Sequence, residues 1–313
     1  MSAITDKKVI FFGGKGGVGK STSSAAFALA CAKQSRETLL VSTDPAHNTG
    51  DIFDREIGGK IKKVSEHLSA YEVDSEKESK HYISSVKDNL KDLVKPKMKE
   101  EVYRQIDMAS SAPGADEAAM FDRIVSLILD EREKYDTIVF DTAPTGHTIR
   151  LLTLPELMGV WIEGMLERRE KFQKDYSQWL GSGEAMDDPI YDILNRRKQR
   201  FAAVREILLD SRQTGFVFVL NPERLPILET KKAIHQLSHH ELAVETLVIN
   251  KVLPEEVDGT FFRKRKEREK EYLAMIDETF PEKEKIRIPL LEEDINDFAA
   301  LEQVAGYLNR VKV

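Results

Sequence analysis

The ten residues GGKGGVGKST, Gly13 to Thr22, lie between an apolar run, VIFF (9–12), and a stretch rich in helix formers, STSSAAFALACAKQ (21–34). They match GxxxxGK(S/T) through Gly14, Gly19, Lys20 and Ser21, with Lys15, Gly16, Gly17 and Val18 between and Thr22 following. In such a loop the glycines let successive backbone N–H groups face a phosphate, reinforced by the positive end of the helix that begins near Ser21. Lys20 then bridges the β- and γ-phosphates, and the Ser21 hydroxyl ligates magnesium. The same residues also satisfy GxGxxG through Gly14, Gly16 and Gly19, with Asp44 placed as the ribose acid of a dinucleotide site. A second signal separates the two readings: TIVFD (137–141) ends a candidate strand in Asp141, the acid a nucleoside triphosphatase uses to complete a magnesium shell. ATP and Mg2+ are therefore the expected cofactors.

Lys15 is a second lysine inside the glycine run. At the bend of the loop its side chain is expected to point away from its own phosphates and out of the subunit. A cation there serves a γ-phosphate only when a two-fold-related copy faces it, so each subunit lends Lys15 to the other's site. Such trans-acting cations accelerate hydrolysis roughly a thousandfold or more. The second lysine predicts a homodimer.

Around the loop, short apolar strands alternate with helical stretches: VIFF, TLLVS (38–42), TIVFD, GFVFVL (215–220), TLVIN (246–250) and IRIPL (286–290). This predicts an α/β fold, a doubly wound, mostly parallel sheet of the phosphate-loop NTPase type. Residues 75–131 and 153–212 have long helical patterns and no convincing strand, and they hold six of the eight methionines. They are expected to form one helical subdomain inserted twice into the nucleotide fold, leaving 1–74, 132–152 and 213–313 as the ATPase core. After Pro155, Leu157, Trp161 and Met165 form one helical row and Leu154, Met158 and Ile162 another, an apolar face too broad for a single stripe.

Composition excludes several classes. The net charge of −7 argues against a nucleic-acid partner, and the interleaved RKRKEREKE (263–271) reads as a solvated helix face. No apolar run approaches the roughly 18 residues of a membrane span, and MSAITDKKVIFF lacks a cleavable leader, so a cytoplasmic protein with transient membrane association is expected. One cysteine, Cys31, rules out an intrachain disulfide or thiolate cage. His235 and His239 stand at i, i+4 without a third ligand, and His47 and His147 read as loop-structuring residues.

KGGVGKST resembles the deviant phosphate loop of the ATPases that include septum-positioning, plasmid-partition and nitrogenase iron proteins. STDPAHN (42–48), APGADEAA (112–119) and DTAPTGHTIRLLTLPE (141–156), with NPERLP (221–226) and INKVLP (249–254), narrow the resemblance to the arsenical-pump and tail-anchored-protein targeting (guided-entry) ATPases. The resemblance implies roles for individual residues. Asp44 orients the attacking water, Asn48 reports nucleotide state, and Gly146 and His147 belong to a second switch. Asn250 reads adenine, and Glu223 contacts nucleotide across the dimer. Many targeting members carry a CxxC that clamps one zinc between two copies; here VDGTFFRKRKEREKEYL stands in that region, so no zinc is expected. Pump members cluster cysteines for soft trivalent arsenic, and this chain has none to spare. The resemblance thus implies an ATP-hydrolysing homodimer that binds hydrophobic, tail-anchored-type helical segments and targets them to a membrane receptor. The alternatives are an ATPase that energises an arsenite or antimonite pump subunit, a general ATP-gated holdase, and a membrane- or DNA-positioning switch.

Overall fold

The computed structural model describes residues 4–44, 49–91, 96–110, 115–142, 189–256, 258–295 and 297–309, together with 152, 159, 162–168 and 171. The chain divides into two compact units: residues 1–74, 130–150 and 208–313, and residues 75–129 and 151–207.

The first unit is built on an eight-stranded sheet. Its strands are β1 (Val9–Gly14), β2 (Thr38–Ser42), β3 (Lys62–Ser65), β4 (Leu68–Glu72), β5 (Thr137–Asp141), β6 (Thr214–Leu220), β7 (Val244–Val252) and β8 (Glu284–Pro289). They lie in the order β3-β4-β2-β5-β1-β6-β7-β8, and all pairings are parallel except β3 with β4. The α/β class and the mostly parallel sheet read from the sequence are those observed. Every residue of β1, β2, β5 and β6 is buried, which is why these strands appear as unbroken apolar runs. The sequence reading misses two strands. In β3, KKVS is exposed at both lysines, as suits a charged edge that discourages further pairing. In β4, LSAYE has little intrinsic strand signal and is buried by its tertiary pairing with β2.

Helices α1 (Lys20–Ala32), α2 (Thr49–Ile52), α7 (Arg224–Ser238), α8 (Gly259–Thr279) and α9 (Phe298–Leu308) belong to this unit. The small side chains of α1 bring it close to the sheet, and its Phe27 ring lies 5.5 Å from Phe12. Leu301, Val304, Ala305 and Leu308 of α9 are buried in the same apolar cluster, so the C-terminal amphipathic stretch covers the core. At the centre of the sheet the Phe11 ring stacks between Phe140 and Phe216, with centroids 4.7 and 5.5 Å away.

The second unit contains α3 (Ser75–Leu90), α4 (Pro96–Ser110), α5 (Ala115–Asp130, whose last residue falls in the first unit) and α6 (Pro189–Leu209, whose last two do). Its core joins Met120, Phe121, Ile124, Val125 and Ile128 of α5 to Phe201 and Val204 of α6, with the Phe121 and Phe201 rings 5.1 Å apart. Polar ties supplement it: Lys87 pairs with Asp107 at 2.6 Å between α3 and α4, and Arg197 donates to the Tyr82 hydroxyl at 2.8 Å. The methionines divide. Met120 is buried, Met165 is half-buried and Met108 is 70% exposed, whereas Met158 and Met186 lie outside the described residues. Of the two apolar rows after Pro155, Ile162 and Met165 are described, and the remainder lies outside.

Phe11→Ala removes both stacked contacts from a buried site, and is expected to cost about 3–5 kcal/mol of stability. Phe11→Leu should lose less than about half of that. Urea titration of the two variants against wild type checks the ordering; equal stability of Phe11→Ala and wild type would contradict this packing.

Candidate nucleotide site

The loop is fixed from both sides before any ligand is considered. Gly14 has φ +147°, and a Cβ there would sit 2.3 Å from the Val219 carbonyl oxygen of β6. Gly19 has φ +92°, and a Cβ there would sit 2.2 Å from Asn250 Nδ2. Only glycine satisfies both backbone angle and space at these positions. Gly16 and Gly17, by contrast, face open space at the exposed bend. Val18 is buried, and its carbonyl accepts from Asn250 Nδ2 at 2.8 Å, tying the loop to the end of β7. Gly19 precedes α1 without a side-chain cap, so the first-turn amides of that helix face the loop as anion donors.

Three strand ends meet beneath the loop: β1, β2 and β5. Ser42 and Asp141 are register partners there. The carbonyl of Asp141 accepts from Thr43 N at 2.9 Å and Thr43 Oγ1 at 3.2 Å, while Thr142 Oγ1 donates to Phe12 O at 2.6 Å. These bonds lock the geometry of the strand ends. Ligands of open parallel sheets bind at this carboxyl edge.

The charges here are poorly satisfied by the protein alone. Lys20 is 5% exposed, and its ammonium donates to the Lys15 carbonyl at 3.2 Å. Burial lowers its pKa, opposed by the nearby Asp141 and Asp44 carboxylates. Asp141 is 1% exposed, and both of its carboxylate oxygens, like Ser42 Oγ, are buried without a hydrogen-bond partner. Burial pushes its pKa up to about 6; the Ser21 hydroxyl and the Lys20 charge hold it down, and Asp44 pushes it higher. The Ser21 hydroxyl is near enough to act on the carboxyl electrostatically without closing a well-formed bond. The Ser24 hydroxyl, a weaker influence, donates to the Ser21 carbonyl at 2.9 Å. Unpaired buried oxygens of this kind cost free energy unless a cation or its hydration shell supplies the partner. The set fits Mg2+, a hard ion that keeps several waters and takes few protein oxygens. Ser21 and Asp141 are the residues that would hold it.

Asp44 follows β2, half-buried, close enough to Lys20 and Asp141 to act on both. Asn48, Gly146 and His147 lie outside the described residues. Asn250 is expected to read adenine; in the structure its amide is engaged with Val18 and its Oδ1 accepts from Lys251 N at 2.9 Å. Beside it, Gly19, Thr22, Ile288, Pro289 and Glu293 line a cavity of about 370 Å³ with mixed polar and apolar walls, large enough for a planar base. Glu223 stands at the N-cap of α7 and pairs at 3.3 Å with Arg265 of α8. Lys15 differs from expectation. Its ammonium lies 3.4 Å from Glu229 Oε1 of its own chain, rather than reaching outward. Sequence reasoning missed Glu229 and Ser42. Glu229 carries no local motif, and Ser42 was read as a strand end rather than as part of the oxygen cluster.

The raised Asp141 pKa makes a stability prediction. The folded carboxyl keeps its proton from its ordinary 3.8 up to about 6, so the folded state binds more protons than the unfolded one in that window. Stability contributed by this group therefore falls as pH rises through the window. Without metal or nucleotide, Asp141→Asn should match wild type near pH 4 and become the more stable protein at pH 7, as urea melts in chelator will check. Parallel pH profiles for the two proteins would contradict the burial argument.

The comparisons with known proteins agree with this geometry. The family model described as anion-transporting ATPase matches residues 7–310. A putative arsenical pump-driving ATPase 2 of Aquifex aeolicus is 37% identical over 301 residues, covering 96% of this chain and 99% of its own length. The ATPase get3 of Pyrenophora tritici-repentis is 32% identical over 321 residues, covering 98% of this chain and 94% of its own. A putative arsenical pump-driving ATPase of Halobacterium salinarum is 32% identical across 97% of this chain, which spans 44% of that longer protein. With buried loop lysine, strand-end acids and full-length similarity in agreement, the chain belongs to the anion-transporting ATPase family and is an ATPase.

Proposed function

We propose that the chain is an ATP-hydrolysing homodimeric switch that shields hydrophobic helical segments of the tail-anchored type and delivers them to a membrane receptor. The observation that carries the reading is the convergence of Lys20, Ser21, Asp44 and Asp141 at one strand edge, followed at 143–150 by the second switch motif that leads into the helical unit. Lys20 and the loop amides bind the triphosphate, and Asn250 with the adjoining cavity takes adenine. Mg2+, when bound by Ser21 and Asp141, neutralises charge on the phosphates. Asp44 accepts a hydrogen bond from the attacking water and aligns it. Glu223 contacts nucleotide across the dimer.

The homodimer is supported by the surface at the start of α8. Phe261 and Phe262 are 69% and 44% exposed, their rings edge to face at 5.4 Å. Exposed acids, Glu255, Glu256 and Asp258, precede them, and exposed bases, Arg263, Lys264, Arg265 and Arg268, follow. An isologous contact would cover the aromatic pair and set acids against bases, with no metal clamp. Client binding is supported by the exposed thioether of Met108, a flexible apolar group suited to varied segments. The relatives named GET3 support the targeting reading, while the Aquifex aeolicus and Halobacterium salinarum relatives carry the pump-driving name. Against thiolate-held arsenite stands Cys31, buried within α1 with its pKa pushed up to about 12 by that burial.

Hydrolysis measured with antimonite, and separately with a detergent-free peptide carrying one apolar transmembrane-length helix, discriminates the readings. The peptide is expected to co-elute with wild type in Mg·ATP and to leave after hydrolysis, while antimonite leaves the rate within about two-fold. Several-fold stimulation by antimonite, with no peptide retained, would replace targeting by pump driving.

A further inference from the structure

Residue 15 makes two contacts. Its carbonyl accepts from the Lys20 ammonium at 3.2 Å, and its own ammonium lies 3.4 Å from Glu229. Both charges of the loop are thereby held within their own subunit, one by main chain and one by α7. The placement of Glu229 is dictated by the rest of its helix. Pro226, Ile227, Thr230, Ala233 and Leu237 form the buried face of α7, fixing its rotation and leaving Glu229 on a partly exposed flank where Lys15 reaches it. The same helix carries Glu223 at its N-cap, six residues earlier.

We infer that Glu229 is a positioning residue for Lys15, holding its ammonium against its own subunit until a phosphate outside that subunit competes for it. The inference rests on the reading of Lys15 as a trans-acting cation. A carboxylate carries one negative charge, whereas the terminal phosphate of ATP carries more, so the ammonium transfers readily once a second copy presents its nucleotide. The hold is soft. Lys15 and Glu229 side chains are 33% and 40% exposed, and water screens the pair. Its release therefore tunes the assembly equilibrium rather than blocking it. The chemistry at Lys20 is linked to it through one residue: phosphate oxygens that take the Lys20 ammonium relieve the Lys15 carbonyl, freeing the bend whose side chain Glu229 restrains.

The test is a double-mutant cycle read by sedimentation velocity in Mg2+ and a non-hydrolysable ATP analogue, so that it does not depend on turnover. Glu229→Gln should tighten the analogue-bound dimer about two- to five-fold, the range an exposed ion pair supports. The gain should vanish in the Lys15→Ala background and shrink at high salt. Glu229→Asp, which keeps the charge, guards against a folding defect and should stay near wild type. An unchanged dimer constant for Glu229→Gln, or the same gain with Lys15→Ala, would overturn the inference. The trans reading is tested apart from it by mixing Lys15→Ala with Asp44→Asn chains. One site in each mixed dimer keeps its own Asp44 and receives Lys15 from its partner, so about a quarter of wild-type hydrolysis should return with random pairing. Proven subunit exchange without recovery would remove the trans cation itself, whereas recovery with no Glu229 effect would remove only the hold.

Discussion

The structure is organised around a buried charge pair that the protein leaves incomplete. Lys20 and Asp141 act on each other electrostatically beneath the loop, in surroundings that weaken the charged form of each. Neither oxygen of Asp141 has a hydrogen-bond partner, and Lys20 falls back on a main-chain carbonyl. Fully buried charges persist when paired and hydrogen-bonded, and are costly otherwise. A magnesium nucleotide would supply both missing halves, a polyanion for the lysine and a cation for the aspartate. The rigid surroundings keep the protein from relaxing the pair by itself: the ends of β2 and β5 are pinned by Thr43 and Thr142, and the loop is seated on Val219 and Asn250.

Much of this was legible in the sequence for a physical reason. Doubly covered parallel strands have to be apolar on both faces, so β1, β2, β5 and β6 appear as uninterrupted runs. The phosphate loop is legible because the backbone angles at Gly14 and Gly19 admit little else. What remained hidden depends on contacts between distant positions. β4 is a strand because β2 lies beside it. Asn250 ties down a loop 232 residues away in sequence. Glu229 has no motif, and its meaning depends on where the buried face of α7 turns it. A helix-forming segment says little about which exposed carboxylate will find a lysine in another loop.

Taken with the family assignment, these features describe a chain whose ligand is also its structural complement. In the proposed reading, binding would remove an internal cost at Lys20 and Asp141, and the same event would loosen the bend at Lys15. Signals of this kind need no long wire, since the residues share one loop and two strand ends. The exposed aromatic pair on α8, with acids before it and a mixed, mainly basic run after it, gives the proposed second copy a surface that does not depend on a shared metal.

The central claim, that Mg·ATP completes the buried pair, is most directly tested by the protons released on binding. At pH 6 the Asp141 carboxyl is about half protonated, because its pKa is raised to about 6. Calorimetric titration of Mg·ATP at that pH, in two buffers of different ionisation enthalpy, should therefore report about half a proton released by wild type in excess of Asp141→Asn. Lys20→Ala should bind no nucleotide in the same cell. Equal proton release from wild type and Asp141→Asn, with undiminished binding by Lys20→Ala, would contradict the account.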